Sequence, residues 1–562
     1  MAVCGDVQLF VCALTALPLL VVGCATSVVQ TAELAPNAAP DCSVRGALVL
    51  PSDGPFGDER ETVSALVGDS YSAGQGPGLY VTARDAFRVY LNGELVTVSR
   101  AARAPLFVPL TLLPGDNALA VVVAAESGTP AALLQLDELE QSTVSDATWK
   151  VSTAPLPGFT DFDFDDSSWP VAQDFGALGA LPGCDPGAPF EASSPAHWIG
   201  PENGSGSVAV LRKVIRIRAL GYGQSTTGGF GAALTFVDSW AEFSSAASDP
   251  DAPAVILLGE GVHDFRDTPR DQNVCPAVCE NDASKSQYVV LTTGQTCAEP
   301  TVTKPRYARR IALGSNKTVV GLGRGAQLRG VTFDFGASQN SIVRNVALYD
   351  VNRELIEAGD AFSLDQARQI WIDHATTKWI SDGFTDISAG SQNITLSWLH
   401  YDGVTNHECE GQHTRASMIT DSTVTFAHCF FDHVQTHAPS VRGALARVHL
   451  FNNVIGDDLG YGVSAECGAR VLLEGNTFQR VATPTVRSTC ADDTLLGLID
   501  APSGSNSYTD VGPHRGGNGQ EPHDAVFEPP YEYRVGGAKD EWRTVSARAG
   551  AGGPWAQPLV AD

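Results

Sequence analysis

Residues 370–374 read IWIDH, 394–398 ITLSW, 424–428 VTFAH, 448–453 VHLFNN and 471–476 VLLEGN. Each is a short apolar run opened by a β-branched residue, and successive starts lie 24, 30, 24 and 23 residues apart. A period in the low twenties with one short strand per repeat is the pattern of a solenoid. A helix pair needs a longer repeat, and these runs carry no helical periodicity. The pattern predicts a parallel β-helix, in which each coil buries one strand face and stacks on its neighbours. NKTVVGLG (316–323) and SIVRNVAL (341–348) extend it upstream. Asn345, Asn453 and Asn476 at strand ends suit turns whose amides bond along the stack. The 30-residue interval holds NHECEGQH (406–413), so a loop should bulge from the stack there.

Upstream the texture differs. Residues 43–218 alternate apolar and polar positions around Asn92-Gly93 and Pro114–Asn117, with Trp149, Trp169 and Trp198 spaced along them. NG between alternating runs is a strong hairpin signal, and short strands at this spacing predict an antiparallel β-sandwich. Between sandwich and repeats, a helix is expected around 236–247. The overall class is therefore all-β: a sandwich at 43–218, a β-helix at 219–550 and a tail at 551–562. The first 24 residues form an apolar run ending Val21-Val22-Gly23-Cys24, which reads as a lipoprotein-type signal with Cys24 the lipidated residue. Residues 25–42 then form a tether. The mature chain is expected outside the cytoplasm, anchored through lipid, with no later apolar stretch long enough to span a bilayer.

The chain carries a net charge of −28, which disfavours nucleic acid as a partner. An anionic polysaccharide would equally be repelled unless Arg side chains or a bound cation met it. Beyond Cys24, nine cysteines remain. An exported chain permits disulfides, the odd count leaves at least one unpaired, and Cys275, Cys279 and Cys297 suggest a disulfide staple rather than zinc.

Glu357 and Asp360 (EAGDAF) lie about one coil before Asp382 and Asp386 (SDGFTDIS). Stacked coils bring residues one coil apart to roughly 5 Å, where converging carboxylates repel unless a hard cation sits among them. Calcium, with its adaptable oxygen shell, suits that better than magnesium. Arg415 and Arg442 are cations in an acidic chain, and HVQTHAPSVRG (433–443) sets His437 beside a Pro and Arg442. HECEGQH lacks the zincin spacing, since Gly411 stands four after His407.

GYGQSTTGGFG, IALGSNKTVVGLGRGAQLRG, GDAFSLDQARQIWIDHATT, DGFTDISAGSQNITLSW, STVTFAHCFFD and VHLFNNV run in the order of the pectate lyase family, polysaccharide lyase family 1, which 219–550 resembles. The sandwich resembles the galactose-binding-like modules that precede many carbohydrate-active enzymes, serving as sugar binder or spacer. The lyase resemblance implies a right-handed parallel β-helix that cleaves pectate (polygalacturonate), an acidic plant-type polysaccharide, by calcium-assisted β-elimination. It implies Ca2+ on Asp360, Asp382 and Asp386, with a further acidic ligand position falling at Ala358 beside Glu357. The family's substrate-gripping Lys falls at Arg415, and its R-x-P-x-x-R motif on His437 to Arg442. Arg442 keeps the second Arg, whereas the proton-abstracting first position is His437, and about two extra residues precede VHLFNN. The implied catalytic set is His437, Arg442 and Arg415, the two Arg also binding substrate. Neutral imidazole is able to accept a proton near neutral pH. A binding β-helix that has lost its base is the alternative; a hydrolase would need paired carboxylates as acid and base. The protein is expected to be a monomer.

Overall fold

The computed structural model describes residues 66–560, apart from 68–70, 100–104, 126–127, 141, 181–189, 191–192, 203–206, 251, 292–294 and 492–493. The signal, the tether, Cys24, Cys42 and Cys184 lie outside the described residues.

Two antiparallel sheets come first. One runs in the order Leu106–Pro109, Gly78–Ala83, Ala132–Asp137, His197–Gly200 and Gln173–Ala177, with Ser142–Val144 against Ala132–Asp137. The other runs Glu94–Ser99, Ala86–Leu91, Gly115–Ala124, Val208–Ile217 and Lys150–Ser152. Asn92 and Gly93 turn the first hairpin of that second sheet with φ of 51° and 88°. Both positive values are what a two-residue type I′ turn demands. Trp149 and Trp198 are fully buried, filling the space that short strands alone would leave.

From Leu234 onward the strands of the coils pair in parallel. A 17-stranded sheet wraps two faces of the coil and an eight-stranded sheet forms the third. The ladder joins Ile370 to Ile394, Ile394 to Val424, Val424 to Val448 and Val448 to Val471. The five repeat starts in the sequence are thus the aligned rungs of one column. All five are fully buried, as a parallel sheet closed on itself requires.

The expected amide stack exists in part. Asn476 Oδ1 accepts from the Asn453 amide at 2.9 Å, and Asn506 Oδ1 accepts from the Asn476 amide at 3.1 Å. Asn453 Oδ1 accepts the main-chain N–H of Cys429 at 2.8 Å, so the free, buried Cys429 stands at the rung above. Asn345 is not in this column; its amide bonds the carbonyls of Gly321 and Gly323. The helix expected at 236–247 spans Trp240–Ser248, because Ser239 caps it and Glu242 returns a bond to the cap; reciprocal bonding of this kind fixes a helix start.

The irregular Cys-bearing stretch is an antiparallel sheet of Arg270–Val278, Ser286–Val290 and Val302–Arg306. Disulfides join Cys275 to Cys297 and Cys279 to Cys409, the second tying this sheet to the loop bulging between repeats. A third joins Cys467 to Cys490. Val274 packs on Leu355 and Ala358, so the sheet braces the turn around 352–358.

Sandwich and first coils share one apolar cluster, which includes Leu79, Leu119 and Trp149 on one side and Leu257, Ile342 and Trp371 on the other. A charged knot lies within it. Arg344 is fully buried and ion-pairs with Glu138 of the sandwich at 3.2 Å and Asp373 of the coil at 3.1 Å. Asp373 also accepts from Ser397 Oγ at 2.6 Å. Removing one member strands the others as uncompensated buried charge, which costs about 3–5 kcal/mol. Arg344→Met should therefore destabilise the protein by about that amount in urea unfolding; a loss below about 1 kcal/mol would show that solvent reaches the knot.

Candidate functional site

The eight-stranded sheet takes the strands Phe362–Asp365, Thr385–Ser388, Ser417–Thr420 and Ser440–Arg442 as consecutive neighbours. The turns entering these strands therefore stack as well, carrying in order Asp360, Asp382, Arg415 and His437. Asp382 N donates to Gly359 O at 3.2 Å and Ala361 N to Gly383 O at 3.1 Å, which fixes the first two turns on each other. His413–Arg415 pairs with Val434–Thr436, setting Arg415 opposite Thr436, next to His437.

Asp360, Asp382 and Asp386 meet around Gly383. A Cβ on Gly383 would stand 2.6 Å from Asp386 Oδ1 and 3.2 Å from Asp360 Oδ1. A side chain there would fill the space the carboxylates face. Asp360 Oδ2 accepts from Ser363 Oγ at 2.8 Å, and Asp386 Oδ1 from Met418 N at 3.3 Å, leaving other lone pairs for a cation. Burial first, then mutual repulsion, raises Asp360 and Asp382 to about 7 and Asp386 to about 6. Single oxygens from all three do not gather within 4.8 Å of one another. The three carboxylates therefore border a common gap without closing a coordination shell, and an ion held there would take further oxygens from water or ligand.

Arg415 Nη1 donates to Glu357 Oε1 at 2.8 Å and lies 3.9 Å from Asp382 Oδ1. Its side chain is 43% exposed, so it faces both the cluster and incoming ligand. Glu357, with φ of 65°, is thus a member of the site although its neighbour Ala358 turns into the apolar cluster under the turn.

His437 is partly buried. Its Nδ1 lies 2.6 Å from Thr436 Oγ1, whose own proton goes to Thr414 O at 2.7 Å. A hydroxyl has one proton to give, so the imidazole donates from Nδ1. Nε2 then carries the lone pair, with Tyr461 Oη 3.4 Å away. Burial, then Arg415 and Arg442, pushes this His down to about 4, so it is neutral above that pH. Arg442 is two residues along the strand from Ser440, half-exposed and 3.5 Å from Glu466. Its charge is felt at His437, but its contacts lie with Glu466 and Cys490 rather than with Arg415.

The bulged loop supplies what sequence reasoning set aside. His413 Nδ1 donates to Glu408 Oε1 at 2.5 Å and Nε2 to Asp382 O at 2.6 Å. With an acceptor at each nitrogen, the ring carries both protons. Burial opposes that charge, but Glu408 and the Asp382 carbonyl outweigh it and raise His413. The ring stacks on Phe384 at 4.3 Å. HECEGQH is thus no zinc motif but the brace of the Asp382 turn, visible in sequence only as an unusual His/Glu spacing.

A family model described as "Pectate lyase" matches residues 219–495. A probable pectin lyase F-2 of Aspergillus terreus is 30% identical over 283 residues, covering 48% of this chain and 58% of that protein. Pectin lyase B of Emericella nidulans is 30% identical over 280 residues, covering 47% of this chain and 73% of that one. The chain thus spans little more than half the length of the first relative. Among solved structures, a pectate lyase of Bacillus sp. N165 in complex with trigalacturonate is 20% identical, covering 60% of this chain and 99% of that chain at a TM-score of 0.41.

Carboxylates held above their unfolded pKa leave the fold most stable below the unfolded value and cost stability as pH rises through the folded one. Stability of the calcium-free protein should therefore fall as pH rises through 6 to 7. Added calcium should raise Tm more at pH 8 than at pH 5, by the equivalent of about 2.7 kcal/mol at a hundredfold excess over Kd. Asp382→Asn should abolish most of that gain. A calcium-induced rise equal at both pH values in differential scanning calorimetry would refute the cluster as the binding site.

Proposed function

The chain belongs to the pectate lyase family, and on that premise we propose that it is a polysaccharide lyase that cleaves pectate or a related uronate polymer by calcium-assisted β-elimination. The observation that carries the proposal is the stacking of three repelling carboxylates, an exposed guanidinium and a neutral imidazole on successive turns of one sheet face.

Asp360, Asp382 and Asp386 would hold the ion. Calcium bound there would screen the uronate carboxylate and so acidify the C5 proton beside it. Arg415 would take the same carboxylate, exchanging its bond to Glu357 for one to substrate; a guanidinium can bind a carboxylate with two parallel N–H groups. Arg442, half-exposed, would add positive potential or a second contact. His437 would accept the C5 proton at Nε2 while Thr436 holds the ring at Nδ1. The C5–H electrons form the C4–C5 double bond, the C4–O bond breaks and its oxygen takes a proton from water, leaving an unsaturated uronate and a new hydroxyl end on the departing chain. Above a pH of about 4 the base needs no prior deprotonation.

The curated relatives are named pectin lyases, which supports a second reading of the substrate as the methyl ester. An esterified uronate carries no charge for calcium or Arg415 to bind, so the carboxylate cluster favours the free acid. We infer further that the chain works outside the cytoplasm as a monomer, attached through lipid on Cys24.

One assay separates these readings. Unsaturated ends absorb in the ultraviolet, and polygalacturonate with calcium should yield that absorbance, abolished by chelator. Highly methylated pectin cleaved equally well in chelator would favour the ester reading. New reducing ends without absorbance would mean hydrolysis and sink the lyase proposal. In an active protein, His437→Ala should lower kcat about 10²–10⁴-fold, the contribution of a general base; unchanged turnover would remove His437 from that role.

A further inference from the structure

Beside the site, on the side of the earlier coils, lies a cavity of about 490 Å³. Trp240, Arg270, Arg306, Tyr307, Arg309 and Arg310 line it. We propose that this cavity is an extended subsite for uronate residues of the same polymer, several sugars from the point of cleavage. The inference rests on the reading of the site as one for a uronate polymer.

Position argues for continuity. Arg306 Nη2 donates to the Ala358 carbonyl at 3.4 Å, one residue from Glu357 and two from Asp360. Arg310 sits on the strand Arg309–Ala312, three ladder steps from the strand of Asp386 through Val331–Asp334 and Phe362–Asp365. At about 4.8 Å a step that is roughly 14 Å, a reach of a few sugar rings along one sheet face.

Chemistry argues for the ligand. Four guanidiniums converge here in a chain of net charge −28. Asp267 holds Arg270 at 3.2 Å and Arg309 at 3.1 Å, Asp334 pairs with Arg310, and Asp271 lines the wall. Arg306 bonds a carbonyl rather than a carboxylate. Arg270 and Arg310 are 82% and 72% exposed, and exposed ion pairs are weak enough to exchange for a ligand. The Arg309 guanidinium lies 5.0 Å over the Trp240 ring, while its Nε is buried without a partner. Forked guanidiniums are suited to bind the carboxylates that recur along a uronate chain. The disulfide-braced sheet of Arg270–Val278 and Val302–Arg306 sets one wall, so the subsite is built into the insert rather than into the coils alone.

The test uses saturated tri- and hexagalacturonate with the full-length protein. KM for hexamer over trimer should rise three- to tenfold in Arg270→Ser/Arg306→Ser, with kcat on the hexamer held. Arg310→Ser, on a separate strand, should act in the same direction and covers the case in which the double variant fails to fold. An unchanged ratio, or equal loss on both oligomers, overturns the subsite. If wild type yields unsaturated product from neither oligomer, the lyase reading fails separately. Calorimetric binding then decides: hexamer bound several-fold tighter than trimer, with the margin lost in the variants, supports the subsite, and equal affinity overturns it.

Discussion

The register of the parallel ladder is the constraint on which everything else depends. Side chains alternate faces along a strand, so a slip of one residue would carry a buried column to the surface. Ile370, Ile394, Val424, Val448 and Val471 resist that slip because each is fully buried above the next. With the columns locked, the turns between them have no freedom to choose neighbours. The turn carrying Asp360 must lie on that carrying Asp382, and the turn with Arg415 next to that with His437. Asp360 and His437, 77 positions apart in sequence, thereby share one site without any side chain of the site having to draw them together.

That arrangement lets the fold hold groups that oppose one another. Three carboxylates raised toward neutrality by burial and repulsion cost stability at working pH, and the core beneath them supplies the offset. Phe362, Phe384, Ile387 and Ile419 lie fully buried under the same face. Glu408 and His413 serve the same end from the loop, as a buried ion pair whose outer nitrogen fixes the carbonyl of Asp382. The insert sheet and its Cys279–Cys409 bond hold that loop in turn.

What could be read from sequence follows from range. The coil period was legible because burial forces β-branched residues to recur at a fixed interval, and so were the Asn92-Gly93 turn and the proximity of Asp360 to Asp382. Asn453 and Asn476 were legible as turn amides, but Cys429 and Asn506 were not, since only the stack reveals that they occupy the same column. The insert between 270 and 306 read as irregular because its hairpins lack a two-residue turn signal and one disulfide partner lies 130 residues away. Glu357 was legible as an acidic group beside the ligand position at Ala358, but its bond to Arg415, 58 residues on, was not.

The imidazole of His437 shows how the local charges are linked. Arg415 and Arg442 are the cations that act on His437, and after burial their charges hold it at about 4. An ordinary imidazole titrates near 6.5. Burial, with the cations adding to it, thus keeps the ring neutral while making it a weaker base than free imidazole, and weaker bases transfer protons more slowly. Binding changes the balance. Under the proposed function, a uronate carboxylate seated on Arg415 would bring a negative charge that offsets the guanidinium, and the basicity of His437 would rise with it. Where a guanidinium would carry a permanent charge, the imidazole of His437 is neutral above about 4, and its basicity would track the charge of the groups beside it.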